Sequence, residues 1–342
     1  MTELIALPEE PIRHIGSRRA FLRITLVGAL ELLATRLARG QDGYPNRPVK
    51  LVMPFAAGGG PDLLARRQAP ELARVLGVPV PVENRVGAGG VVAAETVAAA
   101  APDGYTIMVG TSSHLVNKFL NPAVAFDPLQ SFAPVSLSWI GGTVLAVAQA
   151  SAATTPAELV VALRAKPGAM NYASGGVGTA AHLAGAAFAR ALDLVAVHVP
   201  YKGSVEIERA LLSGEVQFAF PIATTAIPAV QQGRLRALAV TTRQRLPQLP
   251  HVPTLIELFA NELLVQEAWG GIWAPKGTPS AVVDRLFAAN ALSLQSDAVR
   301  RFHLDNGAQV ALSASPSEFA AFMASENERW RRVLVAIGLR PG

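Results

Sequence analysis

The chain has 342 residues, 51% of them hydrophobic and 16% charged, which is enough apolar material to bury two α/β cores or one large one. Formal net charge is +5, but residues 1–40 hold six arginines against four glutamates. That leaves 24 basic and 21 acidic residues scattered over the rest, with no lysine or arginine block of the kind a nucleic-acid surface needs. Cysteine is absent, which excludes disulfides, thiolate nucleophiles and cysteine-ligated metals, and the six histidines form no HExxH pair, so neither a metal nor a cofactor is expected.

Residues 17–23, SRRAFLR, set two arginines before a Phe and a Leu, and the apolar stretch ITLVGALELLA follows. Residues 1–40 therefore read as a twin-arginine-like export signal, with Ala38 and Gly40 supplying small residues before Gln41. The apolar stretch is about eleven residues, short of the roughly 20 that cross a bilayer. Glu31 and Arg36 interrupt it, so an uncleaved anchor and an ordinary Arg-rich amphipathic helix stay open as alternatives.

From Pro48 onward short β-like runs alternate with helical stretches, the pattern of a parallel or mostly parallel sheet with helices on both faces. VKLVMPF is the first strand. After the glycines of MPFAAGGGPD comes a helix with Pro61 in its first turn and Gly77 just past its end. VPVPVENR reads as a strand, VVAAETVAAAAPDG as a buried helix stopped by Pro102, and YTIMVGT as a strand that leads into Thr111, Ser112 and Ser113. APVSLSW, TVLAVAQ, MNYAS, AVHVPY, VQFAFP and RALAVTT are further strands. Thr155-Pro156-Ala157-Glu158 and Ser315-Pro316-Ser317-Glu318 are capping boxes with Pro at the first helical position, and Thr278-Pro279 offers a similar start.

Three loops carry chemistry. MPFAAGGGPD, GTSS and the stretch SGGVGTAAHLAG (174–185) each join a strand to a helix start, where unpaired amides and the helix dipole favour an anion. Gly176 to Ala181 fits GxGxxA, yet the strand after it ends in Tyr201 where a dinucleotide site wants an acidic residue. AAGGGPD lacks the GK[ST] of a P-loop. Ser112 lies near His114, and Ser174 eight residues before His182, but neither serine sits in a GxSxG elbow. The three loops together point to a small carboxylate held by several charge-assisted hydrogen bonds, each worth about 1.5–3 kcal/mol.

In order, YPNRPVKLVMPFAAGGGPD, VENRVGAGG, APDGYTIMVGTSS, FAPVS, NYASGGVGTAAHLAG, HVPYKGS, GRLRALAVTT and LPHVPT resemble the Bug family, the periplasmic substrate-binding proteins of tripartite tricarboxylate transporters. The resemblance runs from about Tyr44 to Gly338. It implies an α/β, two-domain periplasmic-binding-protein fold (type II-like), with two crossing strands at the hinge and a ligand cleft between domains. Residues 44–142 plus 268–342 would form domain one and residues 143–267 domain two, hinged near 142–145 and 266–270. It implies ligand-binding residues Phe55, Ala57, Gly58, Gly59 and Gly60 in the first loop, Thr111 and Ser112 in the second, and Ser174, Gly178 and Thr179 in the third, with Tyr201 and Pro221 beyond them. The implied partners are a small carboxylated ligand and membrane transporter subunits, with no nucleic acid, and a monomer is expected.

The chain departs from the family pattern in places. Pro221 and Ile222 stand where relatives often carry an aspartate, and a proline neither ionises nor donates a hydrogen bond. An anionic or neutral distal end is therefore expected on the ligand rather than an amino group. Ala57 and Pro61 remove a possible hydroxyl from the first loop, Phe55 is expected to close over the ligand, and Lys202 is either near the cleft or simply solvated. Trp269 and Trp273 near the hinge are expected to report ligand by fluorescence. An exported hydrolase using the cleft serines, and a ligand sensor for a signalling partner, are the competing readings.

Overall fold

The computed structural model describes residues 43–339, so the export signal expected over residues 1–40 lies outside the described residues. The chain opens with β1 (Lys50–Met53), α1 (Gly60–Leu76), β2 (Val82–Asn84), α2 (Val91–Ala98), β3 (Thr106–Thr111), α3 (Ser112–Leu120) and β4 (Phe132–Gly142). It crosses to a second sheet through β5 (Val144–Ala148), α4 (Pro156–Ala165), β6 (Asn171–Ser174), α5 (Ala180–Ala191), β7 (Val197–Pro200), α6 (Ser204–Ser213), β8 (Phe218–Ala219), α7 (Ala223–Gln231), β9 (Leu235–Val240) and α8 (Leu255–Phe259). It then returns through β10 (Glu267–Pro275), α9 (Ser280–Leu294), α10 (Asp297–Asp305), β11 (Ala308–Val310) and α11 (Pro316–Ala336).

The first sheet has the order β11-β4-β10-β3-β1-β2 and the second β7-β6-β8-β5-β9. Both are mixed, which corrects the expectation of a mostly parallel sheet. The βα repeats keep β1, β2 and β3 parallel to one another, and likewise β6, β7 and β8. The strands that carry the chain between lobes must run back against them, so β10 pairs antiparallel with β3 and β4, and β5 antiparallel with β8 and β9. The run VPVPVENR is regular only from Val82. Val49 N and Leu51 N donate to Pro79 O and Pro81 O, but the prolines have no N–H to return.

Aromatic side chains pack against each sheet. Trp269, Trp273, Phe126, Phe132 and Phe319 pack with Met108 in the first, and Phe188, Phe218 and Phe220 with Leu145 and Val147 in the second. At about 25 cal/mol per Å² of apolar surface removed from water, these rings dominate the stabilisation of both lobes. Phe220→Ala is expected to cost about 3–5 kcal/mol. Among the described residues no helix is long and apolar enough to cross a membrane.

One hydroxyl ties the two crossings together. Thr241 Oγ1 accepts from Thr143 N (2.9 Å) and donates to Gln266 O (2.6 Å), while Gln266 N donates to Thr241 O (2.9 Å). Gly142 lets this junction close up, because a Cβ there would overlap Thr242 Cγ2.

Candidate functional site

The first glycine loop is braced before any ligand arrives. Gly58, at φ +79, donates its N–H to Asp62 Oδ2 (2.9 Å), and Gly59 N donates to Ala56 O (3.2 Å). The buried Asp62 carboxylate also accepts from Arg66 Nε (2.9 Å) and Asn84 Nδ2 (2.8 Å), and the same Asn84 nitrogen reaches Phe55 O (2.8 Å). Two of the loop's amides are therefore occupied from within.

What needs the missing side chains is the opposite lobe. A Cβ on Gly60 would overlap Ile222 Cγ2, and one on Gly203 would meet Ala56 Cβ at 2.9 Å. A Cβ on Gly178 would overlap Asn117 Oδ1, and one on Gly89 would lie 2.5 Å from Val177 O. Glycines from both lobes let the two surfaces seat against each other at several points.

Between those points lies a cavity of about 620 Å³, counted out to its mouth. Five helices begin on it, since the N-cap residues Gly59 (α1), Thr111 (α3), Thr179 (α5), Gly203 (α6) and Ile222 (α7) all line it. Gly59, Thr179, Gly203 and Ile222 make no side-chain cap hydrogen bond, so the first-turn amides behind them lack the usual hydroxyl partner. Thr179 Oγ1 instead donates to Gly176 O (2.7 Å). Such converging helix starts can compensate an anion without a buried cation. Ser112, Ser113 and Ser204 also line the space. Trp139, Ile207, Ala268 and Trp269 complete the wall with Pro221 and Ile222.

The histidines lie behind these loops. His114 is fully buried, accepts from Thr111 N at Nδ1 (3.0 Å), and is pushed by burial down to about 4. His182 Nδ1 accepts from Gly178 N (3.2 Å), and its ring lies 4.2 Å from that of His198. Burial holds His182 at about 4, helped by His198, which burial also lowers to about 4. Ser174 pairs with His198 Nε2 (2.6 Å), not with His182, and its Oγ accepts from Gly176 N (3.1 Å). Ser174 is completely buried and sits behind the cavity wall. Among the described residues no group of three His, Cys, Asp or Glu is placed to hold a metal ion.

Of the residues expected at the site, Phe55, Gly59, Thr111, Ser112, Thr179 and Pro221 line the cavity. Ala57 is exposed and does not line it, Gly58 and Gly60 shape the first loop, Gly178 packs on Asn117, and Tyr201 lines a neighbouring hollow together with Lys202. Sequence reasoning did not single out Trp139, Ser204 or Ile207. Ser204 closes the HVPYKGS motif and was legible there. Trp139 and Ile207 look like ordinary core residues of a strand and a helix. Arg66 is about half exposed and bonded to Asp62.

The family model described as the tripartite tricarboxylate transporter family receptor matches residues 64–339. A UPF0065 protein in the tcbD-tcbE intergenic region of Pseudomonas sp. (strain P51) is 35% identical over 324 residues, covering 95% of each chain. Among solved structures, the periplasmic binding protein BugD is 31% identical with a TM-score of 0.84, covering 87% of this chain and 100% of that one. The R. palustris protein Rpa4515, solved with adipate, is 32% identical with a TM-score of 0.83 over 87% of this chain and 100% of its own.

Proposed function

The chain belongs to the tripartite tricarboxylate transporter receptor family, and from that premise we propose that it is an extracytoplasmic solute-binding protein that captures a small carboxylate between its lobes. The observation that carries this reading is the convergence of five helix starts on one cavity, four of them without a side-chain cap. The carboxylate sits among the amides that open α3, α5 and α6, with the hydroxyls of Ser112, Ser113 and Ser204 beside it. Several such bonds, offset by desolvation and the entropy of association, support roughly micromolar affinity, about −8 kcal/mol. The adipate bound by the related R. palustris protein supports the ligand class.

In this reading residues 44–142 and 268–342 form one jaw and residues 143–267 the other. The ligand shifts an open–closed population towards the closed form, and membrane subunits of a tripartite carrier receive it. The protein acts as a monomer in the periplasm, and residues 1–40 direct it there by a twin-arginine-like signal. The same clamp would serve a sensor equally well. A hydrolase is disfavoured because Ser174, the one serine paired with a histidine, is enclosed and already bonded on both sides.

The test is a thermal-shift screen of mono-, di- and tricarboxylates. A ligand at 100 times its dissociation constant is expected to add about 2.7 kcal/mol of stability. The proposal fails if the whole panel produces neither a shift in melting temperature nor a change in tryptophan fluorescence.

A further inference from the structure

The cavity lining mixes two kinds of group. Hydroxyls of Ser112, Ser113 and Ser204 and the starts of α3, α5 and α6 are polar. Trp139, Ile207, Pro221, Ile222, Ala268 and Trp269 present apolar surface. No ionisable side chain is among the lining residues. The charged groups close by are committed elsewhere: Asp62 to Gly58, Arg66 and Asn84, and Glu206 to Lys202 N, while Lys202 itself faces the neighbouring hollow.

A second carboxylate on the guest would need a second seat, and the remaining helix starts are α1 and α7. Their junction is plugged. Ile222, the N-cap of α7, lies so close to the opening of α1 that a Cβ on Gly60 would overlap its Cγ2, and Pro61 has no N–H to offer. The same Ile222 packs with Trp139, Ala268 and Leu64 in an apolar cluster that draws on both lobes. A charge delivered there would lose its water and gain no partner, a penalty that ordinary hydrogen-bonding surroundings do not recover. An apolar group delivered to the same wall gains by leaving water and, if it is a ring, by stacking on indole.

Resting on the carboxylate-receptor reading, we infer that this cavity selects an acid with a single carboxylate on an apolar body, an aromatic ring or a branched chain, over di- and tricarboxylates. Trp139 and Ile222 are the specificity-determining residues. Trp139 supplies the flat wall, and Ile222 closes the place where a second anion would sit.

Calorimetric titration of the full chain with benzoate, 3-methylbutanoate, adipate and malate tests this, with benzamide as the uncharged control. Benzoate or 3-methylbutanoate is expected to bind at least tenfold more tightly than adipate or malate, and benzamide at least tenfold more weakly than benzoate. Trp139→Ala is expected to weaken benzoate by about tenfold or more, whereas Ile222→Lys, which places a cation at the plugged junction, is expected to move the preference towards adipate. Adipate or malate binding as tightly as the monocarboxylates overturns the inference and leaves the carboxylate-receptor reading standing. Benzamide matching benzoate, or silence from all four acids, overturns both.

Discussion

Helix starts in this protein come in two kinds. Away from the cavity, Thr155 caps α4, Thr254 caps α8 and Ser315 caps α11, each accepting from the amide three residues on (3.2, 3.1 and 3.1 Å), and each followed at that position by a glutamate. At the cavity, α1, α6 and α7 begin at Gly59, Gly203 and Ile222, which have no hydroxyl, and Thr179 of α5 points its own elsewhere. The starts of α2, α9 and α10, at Gly90, Pro279 and Ser296, have no side-chain cap either, so the contrast lies between the three capped starts and the four uncapped ones that face the cavity. In the proposed reading α5 and α6 leave their amides to the guest, forgoing about 1 kcal/mol per helix in the empty protein.

The largest test of that contrast is pH. The loop before α5 is held through His182, whose folded value of about 4 lies below its ordinary 6.5, so the unfolded chain takes up the proton first. His182 therefore contributes stability that is whole above pH 6.5 and is lost as pH falls towards 4, by up to about 3 kcal/mol at 1.36 kcal/mol per pH unit. Urea melts between pH 4 and 8 should show the decline, to which the likewise lowered His114 and His198 also contribute, and His182→Gln should make it shallower. An unchanged pH profile in that variant would contradict the role. Next in size, Gly60→Ala is expected to lower ligand affinity about 100-fold, or about 2.7 kcal/mol, with the melting temperature of the empty protein nearly unchanged, because the new methyl meets Ile222 across the cleft. Unaltered affinity would show that the lobes need not meet there.

Smaller again, Thr155→Ala is expected to remove about 1 kcal/mol of stability while ligand affinity stays the same, as calorimetry with the best acid from the screen would show. A matching loss of affinity would erase the distinction between the two kinds of helix start. Smallest of all, Glu158→Gln keeps a side chain able to reach back to Thr154 and Thr155 but loses the charge at the helix start, and thermal melts should show a smaller loss than Thr155→Ala.

The fold was legible where the sequence carries local physics. The capping box at Thr155 forms as read; at Ser315 only half does, since the hydroxyl accepts from Glu318 N but the Glu318 carboxylate accepts from Ala314 N instead of Ser315 N, and Thr278 bonds back to Pro275 O (2.7 Å) so that α9 begins only at Ser280. Strand direction was not legible. Nothing within β10 marks it as the returning strand, and its antiparallel pairing with β3 follows from a path that runs through the whole second lobe. The glycine loops were visible as loops, but their purpose was not. MPFAAGGGPD looked like an anion cradle, whereas Gly58 and Gly59 have occupied amides and Gly60 makes room for Ile222, a residue far away in sequence. Trp139 and Ile207 escaped notice because an apolar residue on a strand or helix gives no sign that a cavity lies on one side of it.

In the proposed clamp the Thr241 hydroxyl would give closure its geometry. Because it holds Thr143 and Gln266 at the same spot, sliding one crossing past the other would break both bonds, whereas rotation about that spot would preserve them. Two jaws joined this way would swing like two covers on one spine, and small, scattered points such as Gly89 against Val177 and Gly203 against Ala56 would return to register on every closure.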